Sequence, residues 1–287
     1  MAQIAAQSLW VNGVELAWSE RGSSPVGTPT LVLVHGFTGS GHDFALVADE
    51  LATDRRVVLL DQRGHGHSTK TGSVEDYTIG QLVADLVGFL EVVGDGPVDL
   101  LGHSMGGRVA LGLTLSRPDL VSTLVLMDTS AWSFMPPDDN IRQLVKAWIE
   151  AFDPTKGMPE SISIGGPEDA LIEERTPVSW QGEKAAIFAG MDPYAVKAFG
   201  LALMTDIGTG EASLRAQLPS IACPTTVIAG EHDHPLVDQA PELAGLVADG
   251  RLAVIDGAFH SPQLTHTEEW KNVVRAHLTW ADASRER

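Results

Sequence analysis

The 287 residues carry 38 acidic and 19 basic side chains, a formal net charge of −19, so nucleic acid or an anionic membrane surface would be repelled over most of the protein. Hydrophobic residues make up 44% of the chain, an ordinary globular proportion that supports one large core and argues against bulk disorder. The single cysteine, Cys223, excludes an intramolecular disulfide; with no signal-peptide pattern and no run near the roughly 18 apolar residues of a membrane span, the expectation is a cytoplasmic protein.

In chain order, Ser8–Val11 and Val14–Glu20 flank Asn12-Gly13, a strong two-residue hairpin signal, and predict an opening pair of antiparallel strands. The next runs differ in kind. TLVLVH (30–35), RVVLL (56–60), VDLLG (98–102), TLVLMD (123–128), TTVIAG (225–230) and RLAVID (251–256) are short and apolar without alternation, as parallel strands buried on both faces should be. Helical period marks residues 44–51, 78–93, 105–116, 237–247 and 267–281 between and after them. Such alternation predicts right-handed crossovers and a doubly wound sheet with helices on both faces.

From about Thr129 to Leu218 no comparable strand occurs. Helix-like pieces at 140–151 and 183–189 are separated by Pro136-Pro137, Pro154, Pro159, Pro167, Pro177 and Pro193. The predicted organisation is a core of residues 1–128 and 219–287 with a helical cap, 129–218, inserted after the sixth strand.

In open α/β sheets, active sites gather beyond the carboxyl ends of the strands. There Gly102-His103-Ser104-Met105-Gly106 matches G-x-S-x-G between VDLL and an apolar helix, the setting of a sharp turn that lifts a serine hydroxyl above the sheet. The alternative is a glycine-rich turn capped by serine. Strand before and helix after favour a nucleophile, and the helix start at Met105 offers backbone N–H groups to a developing oxyanion.

A serine nucleophile needs a base, and ten histidines compete. Chain order in elbows of this kind runs serine, acid, histidine, which excludes His35, His42, His65, His67 and His103. Among the remainder His260 follows the strand RLAVID through the short loop GAFH, whereas His266 and His277 fall at or within the last helix. Asp233, three residues past TTVIAG, is the leading acid, and Asp128, ending TLVLMD, is its rival. His65-Gly66-His67 and His232-Asp233-His234 raise a metal reading. Adjacent residues on one loop rarely converge on a tetrahedral site, and His-Glu-x-x-His and paired cysteines are absent, so no metal is expected.

With LVLVHGFTGS, DQRGHGHS, GHSMGGR, GEHDHP and GAFH in this order, the sequence resembles the α/β-hydrolase superfamily over nearly its whole length. The resemblance implies an α/β-hydrolase fold, Ser104 as nucleophile, Asp233 as acid, His260 as base and the backbone N–H groups of Phe37 and Met105 as oxyanion hole. It implies no cofactor. Asp61, Arg63 and His35 are read as loop organisers.

Many large apolar residues of the cap will simply pack on the core. Trp132, Phe134 and Met135, just past the sixth strand, are candidates to line a mainly apolar substrate pocket. The leading expectation is a serine hydrolase acting on a small to medium carboxylic ester or lactone. Similar proteins include carbon–carbon bond hydrolases of aromatic degradation and the menaquinone-pathway synthase that eliminates pyruvate, whose motif Arg108 matches. A ligand-sensing receptor on the same fold is the alternative outside enzymes.

Overall fold

The computed structural model describes residues 7–132, 139–158, 166–204 and 214–285. Eight strands form one sheet: β1 (Gln7–Val11), β2 (Val14–Arg21), β3 (Leu31–Val34), β4 (Val57–Leu60), β5 (Val98–His103), β6 (Val121–Met127), β7 (Thr225–Gly230) and β8 (Gly250–Ile255). Their spatial order is β1-β2-β4-β3-β5-β6-β7-β8. Asn12 at φ +48° and Gly13 at +79° close the β1–β2 hairpin. Strand β2 also runs antiparallel to β4, and every pairing from β4 to β8 is parallel.

Helices α1 (Ala45–Leu51), α2 (Ile79–Val93) and α3 (Met105–Ser116) precede β6. The connection from β6 to β7 holds α4 (Asp139–Ala151), α5 (Pro167–Arg175), α6 (Val178–Ala189), α7 (Pro193–Leu203) and the single turn α8 (Leu214–Gln217). Then come α9 (Leu236–Leu246), the turn α10 (Pro262–Thr265) and α11 (Thr267–Arg285). No single helix among the described residues is long and apolar enough to cross a membrane.

The unalternating strand sequences follow from burial on both faces. Val32, Val34, Leu100, Leu124 and Leu126 turn to the face covered by α2, α3 and α9. Their neighbours Leu31, Leu33, Leu101, Val125 and Met127 turn to the face covered by α1 and α11. Strand β8 departs from this expectation. As the outermost strand it leaves Leu252 40% and Val254 43% exposed.

The insertion between β6 and β7 is the helical cap expected after the sixth strand, but it contains two helices the sequence reading missed, α5 and α7. Pro167 and Pro193 stand in their first turns, where a missing N–H costs no helical hydrogen bond. Buried polar bonds tie the cap to the core. The Asp192 carboxylate accepts the Tyr77 hydroxyl at 2.5 Å and the Gly72 N–H at 2.8 Å. From α3, the buried Arg108 guanidinium donates to the carbonyls of Ala202, at 3.3 Å, and Trp132.

Candidate active site

Five strand ends meet on one edge of the sheet, with Gly36-Phe37 beyond β3 and polar residues at the other four: Ser104 after β5, Asp128 after β6, Asp233 beyond β7 and His260 beyond β8. Strand β3 lies between β4 and β5, so the chain reverses its direction of travel there, and the crevice opens over that point.

Ser104 occupies φ +54°, ψ −118°, a backbone region L-residues rarely adopt. The turn is so sharp that strand and helix backbones nearly touch. A Cβ at Gly102 would lie 2.4 Å from the carbonyl oxygen of Gly106, and one at Gly106 would lie 2.4 Å from that of Val34. Glycine is therefore required at both positions for α3 to start directly over the tips of β3 and β5.

The turn brings three of the predicted side chains into one row. His260 Nε2 lies 2.9 Å from Ser104 Oγ, and His260 Nδ1 lies 2.8 Å from Asp233 Oδ2. Because the Asp233 carboxylate can only accept, the Nδ1–H donates to it, leaving the Nε2 lone pair for the serine proton. Burial disfavours the imidazolium, but the Asp233 carboxylate outweighs it and raises His260 to about 9. Reciprocally, although burial opposes ionisation, His260 and its hydrogen bond hold Asp233 below the usual carboxylate range.

Asp128, the rival acid, does not reach His260 in this arrangement. It is fully buried at φ +44°, and its Oδ1 accepts the N–H of Gly230 at 2.8 Å, tying the tips of β6 and β7 together. Burial, and the Asp233 charge beside it, push its carboxyl well above the usual range.

Met105 opens α3, where the N–H of the first helical residue has no helical acceptor. Phe37 approaches the same spot because Gly36 packs on the elbow: a Cβ there would be 3.1 Å from Ser104 Cβ. The His65 ring sits between the carbonyls of Arg63 and Phe37 and fixes the Phe37 loop. His35 donates from Nδ1 to the Gly36 carbonyl at 2.8 Å and accepts the Gln62 N–H on Nε2 at 3.0 Å. Asp61 accepts backbone N–H groups of Gly41 and His67, and Arg63 pairs with Asp85. All of these hold loops beneath the site.

His103 is a contributor that chain order could not reveal. Its Nε2 donates to the carbonyl of His260 at 2.8 Å, pinning the loop that carries that histidine. Burial pushes His103 down to about 3, so it stays neutral.

Above Ser104 lies a cavity of about 670 Å³. Its apolar wall includes Phe37, Ile172, Trp180, Phe188, Leu203 and Leu264. Trp132 is not part of that wall: its half-buried side chain packs on the core, and the Arg215 guanidinium stands 5.8 Å from its ring. Phe134 and Met135 lie outside the described residues. Nor does Arg108 reach the cavity, being turned to the carbonyls that fasten the cap. Charge enters the wall through Lys184, which pairs with Asp43 at 2.5 Å, and through Glu168 and Asp169 of α5.

A family model described as alpha/beta hydrolase fold matches residues 29–153. The 2-hydroxymuconate semialdehyde hydrolase of Pseudomonas sp. (strain CF600) is 30% identical over 271 residues, 88% of this chain and 88% of that protein. A Bacillus subtilis (strain 168) protein provisionally named 2-succinyl-6-hydroxy-2,4-cyclohexadiene-1-carboxylate synthase is 25% identical over 276 residues, 93% of this chain and 96% of its own length. Among solved structures, the enol-lactonase from Burkholderia xenovorans LB400 superposes with a TM-score of 0.75 at 24% identity, covering 95% of this chain and 100% of that one.

Proposed function

The chain belongs to the α/β-hydrolase-fold family, and on that premise we infer that it is a serine hydrolase cleaving a small to medium carboxylic ester or lactone through an acyl-enzyme. The observation that carries this reading is the row Asp233–His260–Ser104, opening into a mainly apolar cavity. Ser104 Oγ attacks the carbonyl carbon while His260 Nε2 takes its proton, and Asp233 stabilises the imidazolium. The oxyanion gathers on the N–H groups of Phe37 and Met105. His260 then protonates the departing alkoxide, and a water activated by the same imidazole attacks the acyl-enzyme, releasing the acid and restoring Ser104. Apart from substrate and water, these steps use only the chain's own side chains and backbone N–H groups.

Carbon–carbon bond hydrolysis is the second reading, favoured by the semialdehyde hydrolase relative. Pyruvate elimination from a polyanionic substrate fits less well: Lys184 is already paired with Asp43, and Arg108 points at carbonyls of the cap. Burying several carboxylates without cationic partners is costly.

The test is a profile of p-nitrophenyl esters from acetate to hexanoate, run beside a vinylogous diketone acid, with a fluorophosphonate probe located by mass spectrometry. Ester turnover that rises with acyl apolarity, an adduct on Ser104, and a loss of several orders of magnitude in kcat for a folded Ser104→Ala protein are expected. An adduct elsewhere, or unchanged turnover in Ser104→Ala, removes the mechanism. Turnover of the diketone acid alone replaces ester by carbon–carbon cleavage.

A further inference from the structure

Glu168 stands in the first turn of α5, at the wall of the cavity that holds Ser104 and His260. Its Oε1 accepts the backbone N–H of Ser261, the residue after His260, at 2.5 Å. That bond fixes the carboxylate against the loop that carries His260. No lysine or arginine among the described residues forms an ion pair with it. Lys184, the lysine of the same wall, is held by the Asp43 carboxylate and by the Thr38 carbonyl at 3.2 Å. Burial pushes the Glu168 carboxyl up, as expected for a carboxylate partly stripped of water, and the neighbouring His260 opposes that shift. The first turn of a helix supports negative charge there.

A carboxylate with no lysine or arginine partner in a mainly apolar wall lowers affinity for neutral and anionic ligands and raises it for one that brings a positive charge. The side of the cavity also matters. In acyl transfer the leaving atom must take its proton from the imidazole, so the leaving group departs past His260. Glu168 is bonded to the residue following His260, so it flanks the leaving group and not the acyl chain. Of the aromatic rings in the same wall, Trp180 is stacked on His42, whereas the half-buried Phe188 suits a cation as well as a hydrocarbon. Over longer range the net charge of −19 favours the approach of cations.

We propose that Glu168 is a specificity-determining residue that binds an ammonium group, so that the preferred substrate is an ester whose alcohol part carries a positively charged nitrogen. The proposal rests on the serine-hydrolase reading for its chemistry: water and the ester give the carboxylic acid and a cationic amino alcohol.

The discriminating pair is butyrylthiocholine and its uncharged isostere, 3,3-dimethylbutyl thiobutyrate, compared by thiol release with the wild type and Glu168→Gln. Glutamine retains an acceptor for the Ser261 N–H and removes the charge. The wild type should favour the cationic ester by about tenfold in kcat/KM, and the substitution should collapse that ratio toward unity. Equal rates in the wild type, preference for the neutral ester, or a preference that survives both Glu168→Gln and Glu168→Ala overturns it. A purely structural role for Glu168 would lower both rates together and leave the ratio unchanged. Calorimetric binding of the two esters to Ser104→Ala separates this inference from the hydrolase reading. Tighter binding of the cationic ester without turnover by the wild type would sink the hydrolase reading alone, whereas equal binding sinks the cation site.

Discussion

The strand tips and the cap above them both build the cavity, yet they fix their residues by different means. At the tips, backbone contact decides everything: Gly102 and Gly106 leave no room for a methyl group, and Ser104 and Asp128 are held at positive φ. In the cap, helices lie over the site through side chains, with much of α5 and α6 open to solvent and Gly182 in mid-helix facing nothing within 4 Å. The tips can hold reacting atoms to a narrow geometry. The cap is suited to deciding what reaches them. A second difference is chemical, since all ten histidines of the chain lie outside residues 129–218.

The largest effects should come from the tips. Asp233→Asn should cost about three to four orders of magnitude in kcat, because the amide favours the wrong tautomer and removes the counter-charge. Asp128→Asn keeps an acceptor for the Gly230 N–H and leaves the Asp233–His260 pair in place, so its cost should stay below about tenfold. Steady-state kinetics on one p-nitrophenyl ester decides; the reverse ranking would move the acid to β6.

Next in size is the response to a single methyl group. Gly102→Ala forces backbone against backbone and should destabilise the protein by about 2–4 kcal/mol. Gly182→Ala, in the open middle of α6, should instead stabilise it by about 0.5–1 kcal/mol. Urea denaturation of the two variants measures both, and equal effects would erase the contrast between tips and cap.

The effect read most gradually is on pH dependence, and it belongs to buried imidazoles. Burial pushes His277 and His103 down to about 3. His277 is held by the hydroxyls of Thr123 and Thr226 at 2.6 and 2.8 Å. Such groups take up a proton only on unfolding between pH 6.5 and about 3, so the unfolded state binds more protons and stability falls as pH falls through that window. Each contributes a slope approaching about 1.4 kcal/mol per pH unit. His260 has the opposite sign: raised to about 9, it stabilises fully below pH 6.5 and loses that contribution as pH rises through 9. Thermal midpoints between pH 4 and 7 should therefore drop toward acid, and His277→Gln should shrink the slope by about one proton. A slope unchanged by His277→Gln would mean that this imidazole titrates alike in both states.

The same division governs what could be read from the sequence. The strands were legible because residues buried on two faces must be apolar without alternation; β8 shares the pattern although it lies at the edge, so its exposure was not. Ser104, His260 and Asp233 were named because motif, chain order and strand ends restrict where such groups can stand. The cap gave no comparable constraint. Pro167 and Pro193 read as interruptions while they begin helices, and Trp132 looked like a pocket residue from its distance along the chain, though it packs on the core beside Arg215. Glu168, behind Gly166-Pro167, looks like any acidic residue of a helix start. Only the fold sets it beside Ser261.

The backbone at Ser104 has one more consequence. A non-glycine residue at φ +54°, ψ −118° costs about 1–3 kcal/mol, and Asp128 on the adjacent strand tip bends the same way. The site is therefore like a drawn bow, and the two packed faces of the sheet are the arms that keep it drawn. Loosening the core far from the cavity would let the serine relax into ordinary backbone before the protein unfolds. Loss of activity should thus run ahead of loss of structure on heating or in denaturant, with the elbow as the first part to slacken.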